Sequence, residues 1–253
     1  MEETFWYTYF KPYLCDMNSS NRTLVFGDSH GAYRGVMQAL ERANYDPAND
    51  KLICLGDIQD GWSEAHKIIT FLQGIENKIV IMGNHDECFV QWGAWGFPRF
   101  RHPLLAHGGK VTESEYFQLG PDVMEEHMQF HLKSDLYHLD DQNRLFVHAG
   151  WEPDYPHTEQ KQDMLLWDRD FWDGMYKGRN LAKDYTEVYL GHTPTTSYQG
   201  NGALPMNRRN VWNLDTGAAF SGKITLMDVD TKEYWQSDTC TSLYPMESGR
   251  NHS

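Results

Sequence analysis

Three short apolar runs in the first third of the chain each stop at a glycine followed by an aspartate or asparagine. They are Leu24-Val25-Phe26 before Gly27-Asp28, Lys51 to Leu55 before Gly56-Asp57, and Lys78 to Met82 before Gly83-Asn84. Between them the spacing turns helical. Tyr33 to Ala43 places Val36, Leu40 and Ala43 on one face. Ala65, Ile68, Ile69 and Leu72 form a second stripe, with Ser63 placed to cap it and Gly74 to close it. Strand, helix, strand, helix, strand in this order predicts parallel strands joined by right-handed crossovers. In such sheets the reactive groups collect beyond the carboxyl ends of the strands, where Asp28, Asp57 and Asn84 all fall.

The second half reads as further strands over Arg144 to Val147, Glu187 to Leu190, Val211 to Leu214 and Lys223 to Val229. Pro121 to Lys133 predicts a helix with proline in its first turn, and Asp163 to Trp172 another. From about 91 to 120, aromatic residues are mixed with Gly93, Gly96, Pro98, Pro103, Gly108 and Gly109, which predicts a loop-rich aromatic cap. Thr195 to Asn210 is polar, carries Gly200 and Gly202, and reads as a mobile loop near the site. Neither an internal repeat nor an interdomain linker is evident. The 253 residues therefore read as one domain, 1–253, with a core of about 22–230.

The formal net charge of -14 disfavours nucleic-acid duplexes and anionic membranes as partners, except where bound metal reverses the local sign. Cys15, Cys54, Cys88 and Cys240 are scattered, and Cys54 lies inside an apolar run as a small core residue, so a cytoplasmic location is expected. Met1 to Phe10 lacks the basic and apolar regions of a signal peptide, and no stretch approaches the ~18 apolar residues of a membrane span. In that setting the tripeptides starting at Asn18 and Asn21 are chance matches to a glycosylation site.

Two further fragments, Val147-His148-Ala149-Gly150 and Gly191-His192-Thr193, also end strands in metal-seeking side chains. Two divalent metals ~3.5–4 Å apart can activate water and orient an in-line attack on phosphorus. Such a pair needs oxygen and imidazole ligands and one carboxylate that bridges. Asp28 and His30 can face one metal, Asp57 is the natural bridge, and Asn84, His148 and His192 complete the set. Hard oxygen with imidazole suits manganese, taken as first choice, and also iron, zinc or nickel. His85 is placed to protonate a leaving oxygen, with Asp86 as its orienting carboxylate, and Arg169 could grip phosphate oxygens with its planar fork.

These fragments follow the pattern GDxHG, GDxxDRG, GNHE/D, HAG and GH. The chain so resembles the calcineurin-like metallophosphoesterases, in the bacterial and bacteriophage form of their phosphoprotein phosphatase branch. Trp167-Asp168-Arg169 is similar to the arginine-bearing W-x-R of that family, and Asn213 to Gly217 to its closing N-x-D-T-G strand. The resemblance implies a four-layer α/β/β/α sandwich of two mixed β-sheets. It also implies one metal on Asp28, His30 and Asp57, the other on Asp57, Asn84, His148 and His192, and His85 as the acid with Asp86 behind it. The implied activity is hydrolysis of phosphomonoesters on protein serine, threonine or tyrosine, or of a small phosphoester substrate. A nucleotide phosphohydrolase such as a diadenosine polyphosphate hydrolase is the alternative. A catalytically silent binding module is disfavoured, because it would be expected to lose ligands that this chain keeps.

One departure stands out. The family arginine after the second aspartate is missing, since the chain reads Asp60-Gly61-Trp62, and Arg34, Arg99 or Arg101 are the candidates to supply its charge. Trp62 either fills the space or packs under the next helix, and Asp60 is expected to orient a ligating group. His127 and His131, four apart on a helix, are read as a solvated face rather than a zinc pair, and His107-Gly108-Gly109 as loop.

Overall fold

The computed structural model describes residues 21–251 apart from 98 and 199–201. Its N-terminal strands are β1 (Thr23–Phe26), β2 (Lys51–Cys54) and β3 (Lys78–Val80), with α1 (Tyr33–Arg42) and α2 (Ala65–Gln73) in the crossovers. Next come α3 (Asn84–Ala94), α4 (Gly109–Leu119) and α5 (Pro121–Leu132), then β4 (Tyr137–Leu139) and β5 (Arg144–Val147). The remainder is α6 (Gln162–Trp167), α7 (Asp170–Tyr176), β6 (Glu187–Leu190), β7 (Met206–Arg208), β8 (Val211–Asn213), β9 (Thr225–Asp228), β10 (Tyr234–Gln236) and α8 (Cys240–Leu243).

The strands form two five-stranded sheets, ordered β10-β9-β1-β2-β3 and β4-β5-β6-β8-β7. Each is mixed: β1, β2 and β3 run parallel in one, with β3 at its edge, and β5, β6 and β8 run parallel at the centre of the other. Antiparallel β9 and β10 extend the first sheet, and β4 and β7 flank the second.

Strand periodicity explains the layering. Successive side chains point to opposite faces. Leu24, Phe26, Leu52 and Cys54 face outward and pack with Val36, Leu40, Ile68 and Leu72 of α1 and α2. Val25 and Ile53 face inward and meet Phe146 and Tyr189 of the other sheet. In turn, Leu145, Val147, Val188 and Leu190 face outward onto Leu165, Phe171 and Trp172 of α6 and α7. The result is helix, sheet, sheet, helix, as expected. The Phe146 and Tyr189 rings stack at 5.1 Å in the central layer. Cys54, Cys88 and Cys240 are free and buried, and Cys15 lies outside the described residues.

Several expectations need correction. The cap is largely helical, because Gly93 lies on a face of α3 where a Cβ would meet Met128 Sδ at 2.9 Å. The glycine there permits close helix packing instead of breaking the helix, and Phe89, Trp92, Tyr116, Met124 and Met128 form one buried cluster. His107 closes a short 3-10 turn over Leu105–His107, and Gly108, at φ +97°, leads into α4. Asp163 to Trp172 is two helices, broken at Asp168 and Arg169. The polar stretch from Thr195 holds a 3-10 turn and β7, while 199–201 lie outside the described residues. Ser63 does not cap α2; its backbone N–H and hydroxyl donate to Glu247. His127 and His131 are buried rather than solvated. The Tyr116 hydroxyl lies 2.7 Å from His127 Nδ1, and Gln59 Nε2 lies 3.2 Å from His131 Nε2. Among the described residues no helix is long and apolar enough to cross a membrane.

Candidate active site

Six strands deliver the site. Asp28, Asp57 and Asn84 follow β1, β2 and β3, and His148, His192 and Asp215 follow β5, β6 and β8. The carboxyl ends of both parallel sets thus open on one buried cluster. Close approach depends on glycine: a Cβ on Gly83 would lie 2.2 Å from Asp57 Oδ1, and one on Gly191 2.0 Å from Asp28 Oδ1. His30, Asp57, Asp60 and His192 all hold positive φ. Such conformations cost roughly 1–3 kcal/mol each and persist only where the surroundings over-determine them. Here the loops lock together, as Ser29 N and His30 N donate to Asp57 O at 3.1 and 2.8 Å.

The expected ligands converge. His30 Nδ1 lies 2.9 Å from Gln59 O and 2.7 Å from Asp60 O, and His148 Nδ1 lies 2.8 Å from Leu55 O. A carbonyl only accepts, so each Nδ1 carries the proton and each Nε2 presents a bare lone pair. Those Nε2 atoms point at opposite oxygens of one carboxylate: His30 at Asp57 Oδ2, 3.5 Å, and His148 at Asp57 Oδ1, 3.4 Å. Lone pair facing lone pair is repulsive unless the rings are protonated or a cation lies between. Burial opposes protonation, pushing His148 down to about 4 and His30 well below its usual value. The arrangement therefore fits cations, with backbone carbonyls orienting the ligating rings from behind.

Two overlapping donor groups result. His30, Asp57 and His85 form one, and Asp57, His148 and His192 the other, with ligand atoms in each within 4.8 Å of one another. Asp57 belongs to both, as a bridge must. Asn84 Oδ1 joins the second group, 3.1 Å from His148 Nε2 and 2.9 Å from His192 Nδ1. Asp28 Oδ2 lies 3.9 Å from His30 Nε2, and both Asp28 oxygens accept from His192 N. Burial, then the neighbouring Asp215 and Asp57 charges, raise the Asp28 carboxyl well above its usual range. Burial likewise raises Asp57 and Asp215 to about 6. Three crowded carboxylates are a strongly favourable setting for divalent ions.

His85 has a different partner from the one expected. Asp60 Oδ2 stands 2.8 Å from His85 Nδ1, while Asp86 accepts from the backbone N–H groups of Gly83, Ile58 and Gln59. Asp86 closes the capping box at the start of α3, so its oxygens are committed there. Asp60 is buried between His85 and two cap residues. Thr112 Oγ1 donates to its Oδ1 at 2.6 Å, and His102 Nε2 lies 3.5 Å from the same atom. Burial lifts Asp60 to about 6 and drops His85 to about 4. Sequence reasoning missed His102 and Thr112, since only the folded cap brings them to Asp60. Arg169 Nη1 donates to His192 O at 2.9 Å and Thr193 Oγ1 at 3.1 Å, which places its guanidinium beside the cluster. Arg34 is committed elsewhere, to Glu64 and the Leu243 carbonyl.

The sequence profile of the calcineurin-like phosphoesterases matches residues 21–216. The chain belongs to this family. Among curated relatives, the asymmetrical bis(5'-nucleosyl)-tetraphosphatase PrpE of Bacillus cereus (strain AH187) is 28% identical over 225 residues, covering 79% of this chain and 87% of that protein. Its Bacillus anthracis (strain CDC 684 / NRRL 3495) counterpart is also 28% identical, over 227 residues, covering 80% and 88%. Solved structures show the shared fold. One, provisionally assigned as a diadenosine tetraphosphatase, superposes with a TM-score of 0.63 at 16% identity, covering 87% of this chain and 94% of that one. A Saccharomyces cerevisiae protein serine/threonine phosphatase gives 0.59 at 12% identity, covering 88% and 81%. This calcineurin-like chain is accordingly a metal-dependent phosphoester hydrolase.

Proposed function

We propose that the chain hydrolyses dinucleoside polyphosphates by a two-metal mechanism. The geometry that carries the two-metal part is the Asp57 carboxylate, addressed on both oxygens by imidazole lone pairs. Asp28, His30 and Asp57 would hold one divalent ion, and Asp57, Asn84, His148 and His192 the other. Manganese is the first candidate for both sites. Bound there, the ions supply positive charge to the phosphoryl oxygens and a nucleophile drawn from water.

The chain's own residues do the rest. Arg169, held by His192 O and Thr193, binds a phosphoryl oxygen from the His192 side. His85 gives a proton to the leaving oxygen. Burial disfavours its imidazolium form, while the Asp57 and Asp86 charges and the anionic substrate favour it. Asp60 orients His85 through the 2.8 Å contact between its Oδ2 and the ring Nδ1. Asp86 keeps the loop after β2 against the start of α3 by accepting from its backbone N–H groups.

The substrate class rests on the curated relatives, whose name specifies asymmetrical cleavage of a bis(5'-nucleosyl) tetraphosphate. The protein-phosphatase reading rests on motif order alone, and the yeast phosphatase likeness bears only on the fold. A side-by-side assay of diadenosine tetraphosphate, a phosphopeptide and a bis-aryl phosphodiester with added manganese tests the choice. The expected result is unequal splitting of the dinucleotide into nucleoside triphosphate and monophosphate at the highest kcat/KM. Faster turnover of the phosphopeptide would return the enzyme to the protein phosphatases.

A further inference from the structure

The family arginine that this chain lacks at Gly61 has a spatial counterpart. The segment after α8 folds back over the site loop. Glu247 accepts from Ser63 N at 2.9 Å and Ser63 Oγ at 2.7 Å. Gly249, at φ +56°, lies so close to Trp62 that a Cβ would meet its Cζ2 at 2.6 Å. Arg250 N then donates to Ala219 O at 2.8 Å. Trp62 is the platform: it is buried, its Nε1 donates to Ala218 O at 2.8 Å, and its ring stacks on Tyr244 at 5.1 Å.

The Arg250 side chain runs from this anchor toward the site. A Cβ built on Gly108 would meet Arg250 Cγ at 2.9 Å, Gly61 N at 3.0 Å and the Asp60 carbonyl carbon at 3.1 Å, so the arginine stem passes directly over Asp60 and Gly61. Its guanidinium lies 5.3 Å from the Phe220 ring centroid, which steadies it in the manner of a cation–π contact. Gly108 could not carry a side chain without closing this passage, and Gly61 is held against His30, whose carbonyl oxygen a Cβ there would meet at 2.8 Å.

We propose that Arg250 is a phosphate-binding residue of the active site, entering from the segment after α8 to supply the guanidinium that Gly61 cannot. It stands on the Asp60 and His30 side of the metal ligands, while Arg169 stands on the His192 side. A polyphosphate chain laid across the ligands is thus met by a guanidinium at each end. The electrostatics agree. Burial is the leading cause of the pKa shifts at His30, Asp57, Asp60, His85 and Asp215, and at each of them the Arg250 charge also pulls the value down. The departures at 61 and 62 act together: position 61 carries no arginine, and Trp62 docks the segment that brings one from elsewhere.

This assignment rests on the proposed phosphoester chemistry, and its test separates the two. Binding of inorganic phosphate to the manganese-loaded protein is measured by calorimetry, which needs no turnover, for the wild type, Arg250→Lys and Arg250→Ala. Loss of one charge-assisted hydrogen bond predicts phosphate binding roughly ten- to hundredfold weaker in Arg250→Ala, with a smaller loss in Arg250→Lys. Manganese affinity and Tm should stay at wild-type values, and added guanidinium ion should restore part of the phosphate affinity in Arg250→Ala. Phosphate affinity within twofold of wild type in Arg250→Ala would overturn the assignment, as would a parallel fall in manganese affinity, which would mark a structural role. A wild type that binds phosphate through Arg250 yet cleaves no phosphoester would support the assignment and overturn the function proposed above.

Discussion

At the residue scale, His85 is where two chemistries meet. Its ring stands edge-on to His30 at 4.8 Å, and it falls within the first donor group together with Asp57. A ligand and a proton donor respond differently to the same substitution. As the acid, His85→Asn should lower kcat on the order of a hundred- to ten-thousandfold while manganese stoichiometry and affinity hold. Calorimetry with manganese checks this, because weakened metal binding would make His85 a ligand instead. Asp57→Asn should behave in the opposite way. Amidation removes the charge between the two donor groups, so loss of both ions is expected, and retention of either one would remove Asp57 as the bridge. The metal-seeking residues were legible in the sequence because each stands within a few residues of a strand end. The Asp60–His85 pair was not, since Asp86 is adjacent in sequence while Asp60 reaches the imidazole only through the φ +68° turn after β2. Arg250 was further out of reach, as nothing near it in sequence points to the site.

At the element scale, α3, α4 and α5 enclose a polar core behind the catalytic loop. His131 meets Gln59, and Gln59 Nε2 lies 3.3 Å from the Tyr116 hydroxyl that pairs with His127. Burial first, then the charges of His131 and His66, lower His127 to about 4 from an ordinary value near 6.5. Between those two values the unfolded chain takes up a proton that the folded protein refuses. The stabilisation from neutral His127 is therefore complete above pH 6.5 and disappears as pH falls toward 4. His127→Gln keeps a polar partner for Tyr116 but cannot titrate. Urea unfolding at pH 7 and pH 4.5 should show the variant losing less stability than the wild type, by on the order of 2–3 kcal/mol. Equal losses would show that this imidazole does not titrate with folding. These helices were only half legible. Gly93, Gly108 and Gly109 read as breakers, although Gly93 permits helix contact and Gly108 supplies a left-handed entry to α4. The edge strands β4 and β10 were missed for another reason: at three residues each, half-buried or exposed, they carry no apolar run to announce them.

At the scale of the whole molecule, the donor cluster joins the two sheets. Asp28, Asp57 and Asn84 come from the ends of the first sheet, and His148 and His192 from the second. Below them the sheets meet through apolar contacts such as Val25, Ile53, Phe146 and Tyr189. At the site they meet through carboxylates and imidazoles that repel without cations between them. Metal binding should therefore stabilise the packing of one sheet on the other and not merely complete a catalytic centre. At a free manganese concentration a hundredfold above Kd, linkage gives about 2.7 kcal/mol for each of the two ions, or roughly 5–10 °C in Tm per ion for a chain of this size. Stripping with a chelator should remove that increment, and added manganese should restore it. Asp57→Asn should abolish the increment, and its Tm should be the same with and without metal. Phe146→Leu, which thins the apolar layer between the sheets, should lower Tm in both states while leaving the increment intact. Identical melting of the stripped and loaded wild type would show that the sheets are held by their apolar interface alone, and that the cations, if they bind, join nothing that is not already joined.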